Sequence, residues 1–163
     1  MELQTPKHFS EFIQAKAFAC SSRGVNWHEL GFEGAKLEYL NLKMGYFYEG
    51  HRALIDCWAT LNLFVQRPEA FAELKDSARK KEHLICAVNT DFNKKDDLKN
   101  RRYRWSDGSG KLPKSWWTTV PEEQYQEELD YLKNEIYGGR PITLPTATIT
   151  ARKRYSYRAQ ELD

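Results

Sequence analysis

The spacing of hydrophobic positions changes partway along the chain, and the change separates two kinds of structure. Up to about residue 27 no period is clear: Phe9, Phe12 and Ile13 fit one side of a short helix opened by Ser10, and Phe18 to Ser22 fits a strand. From Ala35 to Met44 the spacing is helical, because Leu37, Leu40 and Met44 fall on one face. Gly34 precedes this helix, and Gly45 follows it where a left-handed C-cap is wanted. After a loop, Tyr46 to Gly50, a second helix is predicted to about Gln66. It carries Leu54, Ile55, Cys57, Trp58, Ala59, Leu61, Leu63, Phe64 and Val65, so it is apolar around most of its circumference and calls for cover on more than one side. Pro68 opens a third helix at a favourable first position, ending in Arg79, Lys80 and Lys81.

Beyond residue 81 short strand-like runs alternate with helical ones. Leu84 to Val88 predicts a strand, Lys94 to Arg101 a short helix, and Tyr103 to Trp105 and Ser115 to Val120 two strands joined by a Gly- and Pro-containing loop. Pro121 to Tyr137 predicts a helix with Glu122 and Glu123 in its first turn and Gly138 beyond its end. Ile142 to Ile149 makes a last strand, and the tail after Tyr155 is expected to be mobile. The order β-α-β-β-α-β suits a small sheet with helices on one face. The expected fold class is therefore mixed α/β (α+β), with a mainly helical domain over residues 1–80 and a small α/β domain over 81–163.

The two halves are unequally furnished. Residues 1–80 yield apolar helices and hardly any strand, and each large side chain contributes roughly 1.5–3 kcal/mol when buried. Either the helices close on themselves as a compact bundle, or something packs on them: a partner, a second copy, or a sheet from other sequence. Composition narrows the setting. With 40% hydrophobic and 29% charged residues the chain is globular, and it has no apolar run long enough for a membrane helix and no signal-peptide core. Cys20, Cys57 and Cys86 lie far apart, which favours free thiols and a cytoplasmic location over a disulfide framework or zinc site. A net charge of +2 does not by itself imply nucleic acid, but basic residues cluster at Arg101, Arg102 and Arg104 and again at Arg152, Lys153, Arg154 and Arg158. His8, His28 and His83 stand alone, without ligand spacing.

Three segments carry a resemblance: Gly31-Phe32-Glu33-Gly34-Ala35-Lys36-Leu37-Glu38-Tyr39-Leu40, then Gly45-Tyr46-Phe47, then Gly50-His51-Arg52-Ala53-Leu54-Ile55-Asp56-Cys57. Together they resemble the last catalytic block of the DEDDh 3′→5′ exonucleases, the proofreading epsilon-subunit-like enzymes. Ala19-Cys20-Ser21-Ser22 and Val25-Asn26-Trp27 resemble the approach to that block, and Tyr103-Arg104-Trp105 with Lys114-Ser115-Trp116-Trp117 resembles an accessory domain of some members. The resemblance implies a ribonuclease H-like fold, of which this chain would hold an incomplete part, and DNA, a single-stranded 3′ end, as substrate. It implies Mg²⁺ or Mn²⁺ held by four carboxylates. It assigns His51 as general base and Asp56 as a catalytic metal ligand. No D-x-E motif precedes residue 31 and no middle-motif Asp lies in Met1 to Gly24, so the chain is expected to begin after both motifs and to bind the metals only weakly by itself.

Residue geometry adds a condition. Five residues along a helix rotate about 500°, leaving two side chains about 140° apart, so His51 and Asp56 can share a site only if His51 precedes the helix. Otherwise Arg52, Asp56 and Thr60 form the wet side of an amphipathic helix, with Arg52 and Asp56 as a surface pair worth a few tenths of a kcal/mol. Glu33 and Glu49 are further carboxylates nearby in sequence. In the second domain Arg102, Arg104, Trp105, Lys114 and Trp116 are candidates for nucleic-acid contact, with exposed aromatics stacking bases at roughly 1–3 kcal/mol each. The other reading buries Tyr103, Trp105 and one tryptophan as core and leaves the basic residues as a solvated face. The functions open at this point are part of an exonuclease, a non-catalytic nucleic-acid or protein interaction module derived from one, or a structural partner of another subunit.

Overall fold

The structure is a computed structural model; it describes residues 7–163, with the side chains of residues 7–10 and 157 outside the description. In chain order it contains α1 (Lys7–Gln14), α2 (Ser21–Gly24), α3 (Leu37–Lys43), α4 (Ala53–Gln66), α5 (Pro68–Arg79), β1 (Glu82–Val88), α6 (Lys95–Asn100), β2 (Arg104–Ser106), β3 (Ser115–Pro121), α7 (Tyr125–Tyr131) and β4 (Thr146–Ile149). The architecture is mixed α/β, helices first and then a strand-and-helix region. Two compact units form, one of Phe18–Arg79 and one of Lys80–Asp163, with α1 grouped with the second. Arg158 makes that grouping physical by donating to the Gln14 carbonyl at 2.7 Å. The expected helix near Phe12 is thus present, although the side chains of His8, Phe9 and Ser10 lie outside the described ones.

In the helical unit, Val25, Trp27, Phe32, Leu40, Leu63, Ala70 and Leu74 form one core. Phe18 to Ser22 is not a strand. The chain closes on itself instead, Gly24 N–H donating to Cys20 O at 2.8 Å, and the Trp27 indole donates to Ser21 O at 2.9 Å. Gly24 lets α5 pack close, since a Cβ there would stand 2.9 Å from Leu74 Cδ1 and push that side chain aside. Asn41 pins α3 to α4 from full burial: its Nδ2 donates to Leu37 O (2.9 Å) and Ala59 O (3.2 Å), and its Oδ1 accepts from Asn62 Nδ2 (2.9 Å). Gly45 ends α3 at φ 78°, as its spacing predicts.

α4 is covered on one side only. Ala59 and Leu63 are buried, while Leu54, Trp58, Leu61 and Val65 are 50–69% exposed. At 100° per residue these four positions fall within an arc of about 60°, a continuous apolar stripe. Cover on more than one side was expected for this helix; its own unit supplies it on one side only, at Ala59 and Leu63.

The second unit is a four-stranded antiparallel sheet in the order β2-β3-β1-β4. Alternation on β1 sends Ile85 and Ala87 to one face and Leu84 and Cys86 to the other. The first face packs on Leu98 of α6 and on Leu132 and Ile136 beyond α7; the second packs on Leu112 and on Ala159 and Leu162 of the carboxy terminus. The tail is therefore docked rather than mobile: it covers a face that would otherwise be wet, and Asp163 N–H donates to Thr146 O at 2.7 Å. Two element boundaries differ from expectation through proline. Pro121 closes β3 opposite Glu82 instead of opening a helix, since a residue without N–H is equally tolerated at a strand end. Ile142 to Leu144 stays outside β4, and Pro145 meets β1 only through its carbonyl, which accepts from Cys86 N–H at 2.9 Å.

Candidate functional site

His51 precedes α4, separated from it by Arg52, and holds a left-handed backbone at φ 67°. Such a conformation costs a non-glycine residue on the order of 1–3 kcal/mol and clusters at functional sites. Its ring is 94% exposed, and its Nε2 lies 3.6 Å from Glu38 Oε1. Glu38 belongs to the first turn of α3, thirteen positions earlier, and reaches this loop because Asn41 holds α3 against α4. Gly50 allows the approach: a Cβ there would meet Glu38 Oε1 at 2.7 Å. Glu38 was not a candidate from sequence, because its approach to this loop depends on the packing of α3 against α4 through Asn41.

Asp56 lies in the first turn of α4, half-buried, where the helix dipole favours a carboxylate. Tyr48 connects the two acids. Burial first, then the negative charges of Asp56 and Glu38, push its hydroxyl pKa up. These residues border the loop that enters α4: His51 meets Glu38, Tyr48 lies within electrostatic reach of both acids, and no ion pair joins His51 to Asp56 among the described residues. Arg52 does not pair with Asp56 as the amphipathic reading supposes; its guanidinium lies 3.8 Å from Glu49 on the surface. Glu33 is exposed, its backbone N–H donating to Tyr39 Oη at 3.1 Å.

The donor set limits the chemistry. Among the described residues no group of three or more His, Cys, Asp or Glu side chains is placed to hold a metal ion. Two-metal hydrolysis clamps ions roughly 3.5–4 Å apart with several carboxylates, and the Glu38–His51–Asp56 neighbourhood does not fit that requirement.

In the second unit the predicted contact residues divide among three places. Arg102 and Arg104 line one cavity together with Arg101 and Trp117. Trp105 and Trp116 lie on the helix-side face, edge to face with centroids 5.4 Å apart; Trp105 is half exposed and Trp116 half-buried. Lys114 is exposed at the other end of β3, its backbone against Gly108. Tyr103 alone of the strand aromatics is true core: its hydroxyl donates to Glu128 Oε1 at 2.8 Å, and burial followed by the Glu128 charge raises its pKa. The basic cluster near the carboxy terminus serves the fold. Arg154 pairs with Glu82 at 3.0 Å and donates to Lys80 O at 2.7 Å, and Lys153 lies 3.8 Å from Asp163.

Comparison with known proteins finds no matching family model, no matching curated protein and no matching solved structure. Among the described residues no helix is long and apolar enough to cross a membrane.

Proposed function

We propose that this chain is the carboxy-terminal part of a cytoplasmic DEDDh-type 3′→5′ exonuclease acting on DNA ends. In this reading the unit Phe18–Arg79 is the last catalytic block of a ribonuclease H-like domain. The observation that carries it is the placement of His51 in a left-handed loop ahead of α4 with Asp56 in the helix's first turn. That is the one arrangement in which residues five apart serve a single site. The apolar stripe of α4 supports it independently, since the sheet of such a domain is a natural cover for Leu54, Trp58, Leu61 and Val65.

The same stripe also favours a second reading, a protein interaction module that keeps the scaffold without the chemistry. In either case the metal-binding carboxylates are too few for hydrolysis by this chain alone. A Mn²⁺ titration followed by paramagnetic broadening of amide resonances tests the first reading. Broadening is expected first around Glu38, His51 and Asp56, weakly and without saturation, and Asp56→Asn should remove it. Broadening spread evenly over exposed carboxylates and indifferent to Asp56→Asn would sink the site assignment.

A further inference from the structure

We propose that the second unit carries a binding site for a terminal phosphate, a phosphomonoester, in the wedge where β2 parts from β3. The wedge arises from how the chain enters β2. Arg104, Trp105 and Ser106 pair with Trp117, Trp116 and Ser115, but before Arg104 the backbone turns back toward α6. Tyr103 N–H donates to Leu98 O and Arg102 N–H to Lys99 O, both at 2.9 Å, with Arg102 in the left-handed region at φ 67°. Thr118, Thr119 and Val120 consequently have no strand neighbour on that side. Along an antiparallel strand the N–H and C=O groups point alternately left and right, so at least one of these three residues directs its pair into the wedge. The space is a cavity of about 480 Å³, the size of a small-ligand site.

Its charge is lopsided. Its lining holds three arginines, Arg101, Arg102 and Arg104, and one carboxylate, Glu128. Glu128 is already engaged: it is 6% exposed, bonded by Arg101 Nε at 3.0 and 3.1 Å and by the Tyr103 hydroxyl. Arg101 is also held over the Tyr131 ring at 4.0 Å. Arg104 rests over the Trp117 ring at 5.5 Å and, like Arg102, makes no ion pair among the described residues. Two exposed arginines without an ion-pair partner among the described residues, beside the open edge of Thr118 to Val120 with its free backbone N–H, match a dianion with several acceptor oxygens. An acidic peptide adding as a strand fits less well. The open edge runs for three residues, about 10 Å, and is stopped by β2 at one end and Pro121, which has no N–H, at the other.

Calorimetry on the full chain at low salt tests this with inorganic phosphate, a nucleoside 5′-monophosphate, a 5′-phosphorylated oligonucleotide, the same oligonucleotide without its phosphate, and an acidic hexapeptide. The phosphorylated probes are expected to bind, and loss of the phosphate should weaken the oligonucleotide at least tenfold. Equal affinity for inorganic phosphate and the mononucleotide assigns the site to the phosphate alone; tighter mononucleotide binding adds its nucleoside; both support the proposal. Arg104→Ala should weaken phosphate binding several-fold. Arg102→Gly separates binding from folding: it relieves the left-handed backbone, so the melting temperature should hold or rise while affinity falls. Equal binding with and without the phosphate, binding of the hexapeptide alone, or indifference to both substitutions overturns it.

Discussion

Replacing Glu128 by alanine should be among the more costly single changes in the second unit. Its carboxylate bridges α7 to the turn before β2, accepting from Arg101 Nε at 3.0 Å and from the Tyr103 hydroxyl at 2.8 Å. Truncation strands the hydroxyl of a buried tyrosine, at about 1–3 kcal/mol. The charged bonds to Arg101 are also lost, but that guanidinium is 36% exposed and lies 3.8 Å from Glu127, so water and a second carboxylate remain to it. The total is about 2–4 kcal/mol, below the 3–5 typical when a fully buried pair is broken. Tyr103→Phe leaves Glu128 bonded to Arg101 and should cost only about 1 kcal/mol. Urea unfolding followed at the indole resonances of Trp105, Trp116 and Trp117, all in this unit, reads both changes without interference from the helical unit. A loss below about 0.5 kcal/mol for Glu128→Ala, or a greater cost for Tyr103→Phe, refutes the network as the brace of the wedge.

Other outcomes follow from the same packing. Asn41→Ala should destabilise the helical unit by about 2–3 kcal/mol, since Asn62 loses an acceptor and the Ala59 carbonyl a donor inside the core; denaturant unfolding followed at the Trp27 indole resonance measures it. Leu61→Glu on the exposed stripe should change stability by less than about 0.5 kcal/mol while reducing any self-association seen in sedimentation. Burial pushes the Tyr137 hydroxyl up to about 12, against about 10 in an unfolded chain. The unfolded form therefore loses its proton first, and the stability this group contributes is full below pH 10 and lost as pH rises toward 12. Thermal melts across that window should fall less steeply for Tyr137→Phe.

Much of this fold was legible because local pattern and global packing agree. Leu84 to Val88 alternates between two faces that both prove buried, and Gly45 takes the left-handed conformation its place after Met44 requires. Pro121 misled because the missing N–H and fixed φ that suit a helix start suit a strand end as well. The tail misled because its polar sequence hides Ala159 and Leu162, whose value depends on a sheet face built 70 residues earlier. For the candidate site, the order of His51 and Asp56 was readable from helix geometry. Glu38 was not, because its approach depends on Asn41 joining two helices from buried positions that the apolar period does not mark. The Arg101–Glu128–Tyr103 brace spans 27 residues of sequence and exists only once α7 lies on the sheet.

In the proposed function Asp56 is one metal ligand of a hydrolytic site that this chain does not complete by itself. Release of labelled nucleotide from the 3′ end of single-stranded DNA by the purified chain, with Mg²⁺ or Mn²⁺ added, tests it most directly. No release above a metal-free control is expected; sustained cation-dependent release that disappears in Asp56→Ala overturns the assignment.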